Sequence, residues 1–192
     1  MDLSNQPTEL VARARSIFDR LQAHINIKND TPDDQSAFRS PASPEKLTEL
    51  EQLLQHPLPL EFKIMYSLHD GSPEYCIYGD ELLPIEEIIE QCKAWIENVR
   101  LEVNLNEEEP FPDEEHGISS YLFWSFWVPF THNGCGDHIC IDLKPNVDRG
   151  GIPGQIIHYF HDQDERCYYS TDLFSFFEAY LTKLDDGEEQ MK

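Results

Sequence analysis

Between Trp127 and Leu143 the chain reads WVPFTHNGCGDHICIDL, which places His132, Cys135, His138 and Cys140 within nine positions. Zinc takes four convergent nitrogen or sulfur ligands. His138 and Cys140 share one face of a strand, and His132 and Cys135 fall in the turn before it. The spacing matches no zinc-binding pattern, however. A second chemistry would use Cys135 or Cys140 as a nucleophile, which needs an activating base and oxyanion donors. The amides of Gly134 and Gly136 could serve, but a hairpin turn needs its glycines for positive φ in any case. The third reading is structural. Trp124, Trp127 and Phe130 fill the space between a sheet and helices. Asn133-Gly134 and Gly136-Asp137 make the turn, and Asp137 and Asp142 accept backbone hydrogen bonds. This third reading is the strongest, so no catalytic residue, metal ligand or cofactor is expected.

The elements that must position this stretch follow from periodicity. Leu10, Ala14, Ile17, Leu21 and Ile25 form one helical stripe over residues 8–25. A polar, proline-containing loop follows. Ser43-Pro44 then caps and opens a second helix whose apolar face is Leu47, Leu50, Leu53 and Leu54. His56-Pro57 ends it. A third helix starts at Leu58-Pro59, turns Phe62, Met65 and Tyr66 inward, and stops at HDGS with Gly71 as a left-handed cap. Tyr75 to Tyr78 reads as a short strand. Pro84 opens the clearest helix, with Ile85, Ile88, Ile89, Cys92, Trp95, Ile96 and Val99 in helical register.

The period then changes. Residues 121–130 are aromatic and β-forming, and Ile139, Ile141 and Leu143 alternate with His138, Cys140 and Asp142. QIIHYF and CYYS supply further strands, joined by turns. Ser170 or Thr171 caps a last helix carrying Leu173, Phe174, Phe177, Tyr180, Leu181 and Leu184. Helices, then antiparallel strands, then a closing helix predict an α+β fold with the sheet packed on N-terminal helices and a C-terminal helix.

Composition bounds the function. The 192 residues are 40% hydrophobic and 27% charged, as in an ordinary globular domain. No apolar run reaches the ~20 residues that cross a bilayer, and no leader is evident at the N-terminus. Five cysteines without a repeated spacing suit a reduced, cytoplasmic chain. The net charge of −23 repels phosphates, so neither nucleic acid nor an anionic membrane is an expected partner. No Lys or Arg occurs between Arg100 and Lys144. Within that interval NEEEPFPDEEHG reads as an acidic, proline-bounded loop.

The second half resembles the SUKH superfamily, which includes the Smi/Knr-type cell-wall regulators. The resemblance rests on Trp127, Pro129, Phe130, Gly136, Asp137, Asp142, Pro145, Gly154, Gln155, Ile156, His161 and Asp162. In the first half Glu51, Leu58, Pro59, Phe62, Asp70 and Gly71 agree. It spans about residues 42–184, inside a single domain over 1–192. Residues 1–41 form an N-terminal helical extension and loop, and 185–192 a polar tail. The resemblance implies a non-enzymatic protein-binding module. Bacterial members are mostly immunity proteins that neutralise polymorphic toxins; fungal members regulate cell-wall synthesis. A compact chain without long arms is similar to the former, and the acidity suits a basic toxin domain. Expected contacts are Glu107, Glu108, Glu109, Asp113, Glu114, Glu115, Tyr121 and Trp124, with Asp137 and Asp142 beside them. Pro59, Gly71, Trp127, Pro129, Gly136, Gly154 and Gln155 are expected to hold the shape. The alternative is a regulatory scaffold in cell-wall synthesis.

Overall fold

The computed structural model describes residues 2–30, 36–103, 115–162 and 166–187. The protein is α+β, as its periodicities require. Helix α1 (Thr8–Asn29) buries Ala14, Ile17, Phe18, Leu21 and Ile25 along one face. It runs four residues past the last residue of the expected stripe, to a left-handed Asp30 whose N–H donates to the Asn26 carbonyl. The apolar face packs on the same core as the later elements.

Helix α2 (Pro44–Leu54) begins as predicted, the Ser43 side chain accepting from the Lys46 N–H. Helix α3 (Leu60–Leu68) follows Pro59. Glu51 links the two, its Oε1 accepting from the Leu58 N–H and from Lys63 Nζ, both at 3.0 Å. Gly71 does not cap α3. The helix ends in an extended His69, and Gly71 lies further on at φ 73°. A Cβ there would sit 2.4 Å from the Leu82 carbonyl oxygen and 2.6 Å from that of Leu83. The glycine is thus set by a close approach of two backbones.

Strands β1 (Ser72–Ile77) and β2 (Asp80–Leu82) form a hairpin. The sequence shows β1 in part and hides β2, whose three residues lack a readable period. Helix α4 (Ile85–Val103) follows. Its first N–H is taken by the Asp70 Oδ1, 2.7 Å from the Ile85 nitrogen. So Asp70-Gly71 serves the start of α4 and the passage under β2, not the end of α3.

Residues 121–126 are bends and turns rather than strand. Strand β3 is Trp127–Pro129 alone. Pro129 is tolerated because β3 is the edge of its sheet. At Phe130 the chain changes sheets. Its N–H donates to the Ile139 carbonyl, while its own carbonyl accepts from Leu83. Strand β4 (Thr131–His132) then pairs with β2, giving one antiparallel sheet in the order β1-β2-β4.

Strands β5 (His138–Asp142), β6 (Gln155–Tyr159) and β7 (Arg166–Ser170) complete the other sheet, ordered β3-β5-β6-β7. All of β5 is buried, so the alternation that marks it does not separate an inner from a wet face. Helix α5 (Leu173–Asp185) closes the chain on α1 and α3. Its cap is Asp172, not Ser170 or Thr171: Oδ1 accepts from the Ser175 N–H at 2.9 Å.

Candidate functional site

The turn between β4 and β5 is organised by two side chains. Asn133 Oδ1 accepts from the Cys135 N–H at 2.7 Å and the Asp137 N–H at 3.1 Å, and its amide nitrogen donates to Asp137 Oδ2 at 2.8 Å. Asp137 reaches on to the end of β6, where Oδ1 accepts from the His161 backbone N–H and faces His161 Nδ1. Partial burial works against the Asp137 charge. The hydrogen bonds from His161 and Asn133 outweigh it and hold the carboxyl below its usual range. That carboxylate in turn raises His161. Gly136 lies against the His161 ring.

Behind the turn, Thr131 joins the two sheets. Its hydroxyl donates to Asp80 Oδ2 at 2.6 Å and accepts from the Ile139 N–H at 2.8 Å. Its carbonyl meets His138 Nδ1 at 2.6 Å. Burial pushes Asp80 up to about 6 and His138 down to about 4. The sequence reading missed both Asp80 and Thr131. Their partners lie 51 and 8 positions away, and no local pattern marks them.

Asp142 and Gln155 pair across β5 and β6. Both are 0% exposed. Asp142 Oδ1 accepts from the Lys144 N–H, and its backbone carbonyl accepts from the Gly154 N–H. Gln155 Nε2 donates to the His116 carbonyl at 3.1 Å and leans on Asp142 Oδ2 at 3.4 Å, while its Oε1 accepts from Ile152. Burial pushes Asp142 up to about 7, with Lys144, Trp127 and Gln155 pulling the other way.

The expected contact residues therefore separate. Glu107, Glu108, Glu109, Asp113 and Glu114 lie outside the described residues. Glu115 opens a short turn, Glu115–Gly117. Tyr121 is buried, edge-on to Trp124 at 5.9 Å, and Trp124 is half-buried. Asp137 is committed to His161. The fold takes Tyr121 and Asp142 inside, at 9% and 0% exposure. Among the shape-holding set, Trp127 and Gln155 are buried. Pro129 pairs with Cys140, and Gly154 lies 3.7 Å, measured from a built Cβ, from Pro59.

Of the four residues considered for zinc, Cys140 and His138 are engaged elsewhere. Cys135 is exposed on the turn, Cys140 is fully buried with its thiol directed at the His138 carbonyl, and His138 is held by Thr131. Burial also pushes the Cys140 thiol far up, which opposes a thiolate. Among the described residues, Asp137, His161 and Asp162 are the group whose ligand atoms fall within 4.8 Å of one another. The hydrogen bonds from His161 to Asp137 already account for that closeness.

Two sheets joined through a buried threonine, with the reactive-looking side chains holding turns and strand pairs, define an α+β module. Residues 41–183 match the SMI1 / KNR4 family (SUKH-1), and the chain belongs to it. It is 26% identical over 220 aligned residues to KNR4/SMI1 homolog 2 of Debaryomyces hansenii, covering 92% of this chain and 36% of that protein. It is 20% identical to the cell wall assembly regulator SMI1 of Saccharomyces cerevisiae, covering 85% of this chain and 40% of the relative. With the cell wall biosynthesis/cell cycle regulator smi1 of Schizosaccharomyces pombe it shares 25% identity, over 72% of this chain and 30% of the relative. The chain thus spans about a third of the length of these relatives.

No helix among the described residues is long and apolar enough to cross a membrane.

Proposed function

We propose that this chain is a protein-binding regulatory module acting in cell-wall assembly or biosynthesis, without catalysis of its own. The observation that carries this reading is the use of the motif side chains. Asp142, Gln155 and Cys140 are each 0% exposed, and Asp137 is bonded to His161. The motif thus builds a shape, and the shape presents a strongly acidic surface, with a net charge of −23. Two relatives are named as regulators of cell-wall assembly or biosynthesis. Neutralisation of a basic toxin domain, the first expectation from sequence, draws on the same charge and the same superfamily. The relatives' names support regulation instead, and regulation is the reading adopted.

The test is affinity capture from cells of the source organism, using the wild-type chain and the variant Glu107→Lys/Glu108→Lys/Glu109→Lys. Wild type is expected to recover a protein partner, with the variant recovering less at low salt. Charge at a rim acts mainly on association and is screened over about 10 Å at 0.1 M salt. Recovery of no partner by wild type would sink the binding reading. Recovery of a toxin encoded beside the gene would return the immunity role. Equal recovery by both chains would remove the acidic loop from the interface.

A further inference from the structure

Tyr78 and Tyr169 are 45% and 40% exposed, and their ring centroids lie 5.9 Å apart. They come from different sheets: Tyr78 from the β1–β2 turn, Tyr169 from β7. Each rests on α5. The Tyr169 ring lies nearly parallel to Phe176, at 7° and 5.9 Å, and Tyr78 leans on Tyr180 at 4.5 Å. His158 Nδ1 meets the Tyr169 hydroxyl at 2.9 Å. The pair is therefore seated on α5, with the Tyr78 hydroxyl accepting from Lys183 Nζ at 3.3 Å.

The backbone at Tyr78 is a second observation. Tyr78 and Gly79 have φ of 52° and 88°. Two-residue hairpin turns with positive φ at both positions favour Asn-Gly, and a bulky residue in the first is strained. The fold holds an aromatic side chain where the turn prefers a small polar one. Strain kept at a half-exposed residue is a mark of function.

The third observation is the edge beside them. β7 ends its sheet, and among the described residues no strand pairs with its outer side. Its residues are half-buried or exposed. The β6–β7 register slips at Tyr169, so Arg166, Cys167 and Tyr168 form the regular part of that edge.

Charge selects the occupant. A second copy of a chain with net charge −23 would be repelled. The nearby cations are already seated on rings: Lys183 lies 5.6 Å from the Tyr78 ring centroid, and Arg166 lies 4.7 Å from that of Tyr159. The exposed Asp162 follows β6. We propose that the outer edge of β7, with Tyr169, binds an extended peptide segment bearing Lys or Arg, which adds to the sheet as a further strand beside Tyr78 and sets a cation on the exposed Tyr169 ring. This rests on the reading of the chain as a protein-binding module and names the surface that module uses.

The test uses the full chain and two labelled synthetic peptides of about ten residues, long enough for one strand. One alternates lysine with valine, the other glutamate with valine. Fluorescence anisotropy at low salt is compared between wild type and the variant Tyr78→Asn/Tyr169→Ser. Both substitutions are at exposed positions, and Asn suits the turn. The lysine peptide is expected to bind wild type and to slow amide exchange at Cys167, Tyr168, Tyr169 and Ser170. The variant is expected to bind about threefold more weakly, the worth of one exposed cation–π contact. Absence of lysine-peptide binding to wild type overturns the proposal. So does equal binding by the variant, or equal binding of the glutamate peptide. If the variant still captures the cellular partner of the wild-type chain, this surface is wrong and the module reading stands. If wild type captures no partner, that reading fails independently of the peptide result.

Discussion

Arg13 on α1 and Glu178 on α5 form a two-pronged ion pair, Nε to Oε1 at 2.5 Å and Nη2 to Oε2 at 2.7 Å. It joins a helix outside the family match to one inside it. Both side chains are more than a third exposed, so the pair orients α1 more than it stabilises the fold. Arg13→Ala is expected to cost under about 1 kcal/mol. Ile17→Ala, on the buried face of the same helix, is expected to cost ~3 kcal/mol. Urea denaturation of both variants checks the ranking. An Ile17 variant as stable as wild type would mean that α1 is dispensable to the core.

Gly71 and Gly79 make a matched pair. Both have positive φ, 73° and 88°. Only Gly71 has backbone oxygen where a Cβ would go, with nothing within 4 Å at Gly79. Gly79→Ala should cost about 1 kcal/mol from conformation alone. Gly71→Ala should cost at least ~3 kcal/mol, because the strands around β2 must part. Melting temperatures that fall equally would show that the close approach at Leu82 is not rigid.

Asp142 gives a pH signature. Burial raises its folded pKa to about 7, above an unfolded value near ~3.9. Its protonated form is therefore favoured by folding. Its contribution is full below about pH 4 and is lost as pH rises through 7, by at most about 1.4 kcal/mol per pH unit. His138, lowered to about 4, acts with the opposite sign: its contribution is present above about 6.5 and lost as pH falls toward 4. Comparing wild type with Asp142→Asn isolates the first effect. The stability gap in favour of wild type should shrink from pH 5 to pH 8. A gap that stays constant would show Asp142 ionised in the folded state throughout that range.

Asp137 and His161 can be followed directly. Nitrogen-detected NMR titration of His161 should show its pKa above the ordinary histidine value in wild type, and lower in Asp137→Asn. The linked stability is present below the ordinary histidine pKa, about 6.5, and lost as pH rises through the raised one. An unshifted His161 in the variant would break the proposed tie between the turn and β6.

Trp127 is 1% exposed, with Trp95, Tyr159 and the Arg166 guanidinium around it. Trp127→Ala is expected to cost ~3–5 kcal/mol. Exposure of the lost core should appear as a lower urea midpoint at unchanged pH. An unchanged midpoint would place the ring outside the core.

The sequence by itself determined the elements whose signals are local. The stripe Ala14, Ile17, Leu21 and Ile25, the Ser43-Pro44 cap and the run from Ile85 to Trp95 are each written within a few turns of helix, where side chains at fixed spacing share one face. The α+β order was legible for the same reason. Only the tertiary structure decided the rest. Asp70 caps α4 from 15 residues away, and Thr131 finds Asp80 from 51. Tyr78 meets Tyr169 although they lie in different sheets. Polar side chains form such pairs only when distant segments are brought within hydrogen-bond reach, and that distance is set by packing of the whole chain. The same packing took Tyr121 and Asp142 inside. Identity fixes what a side chain can bond. Burial fixes whether it faces a partner or the core.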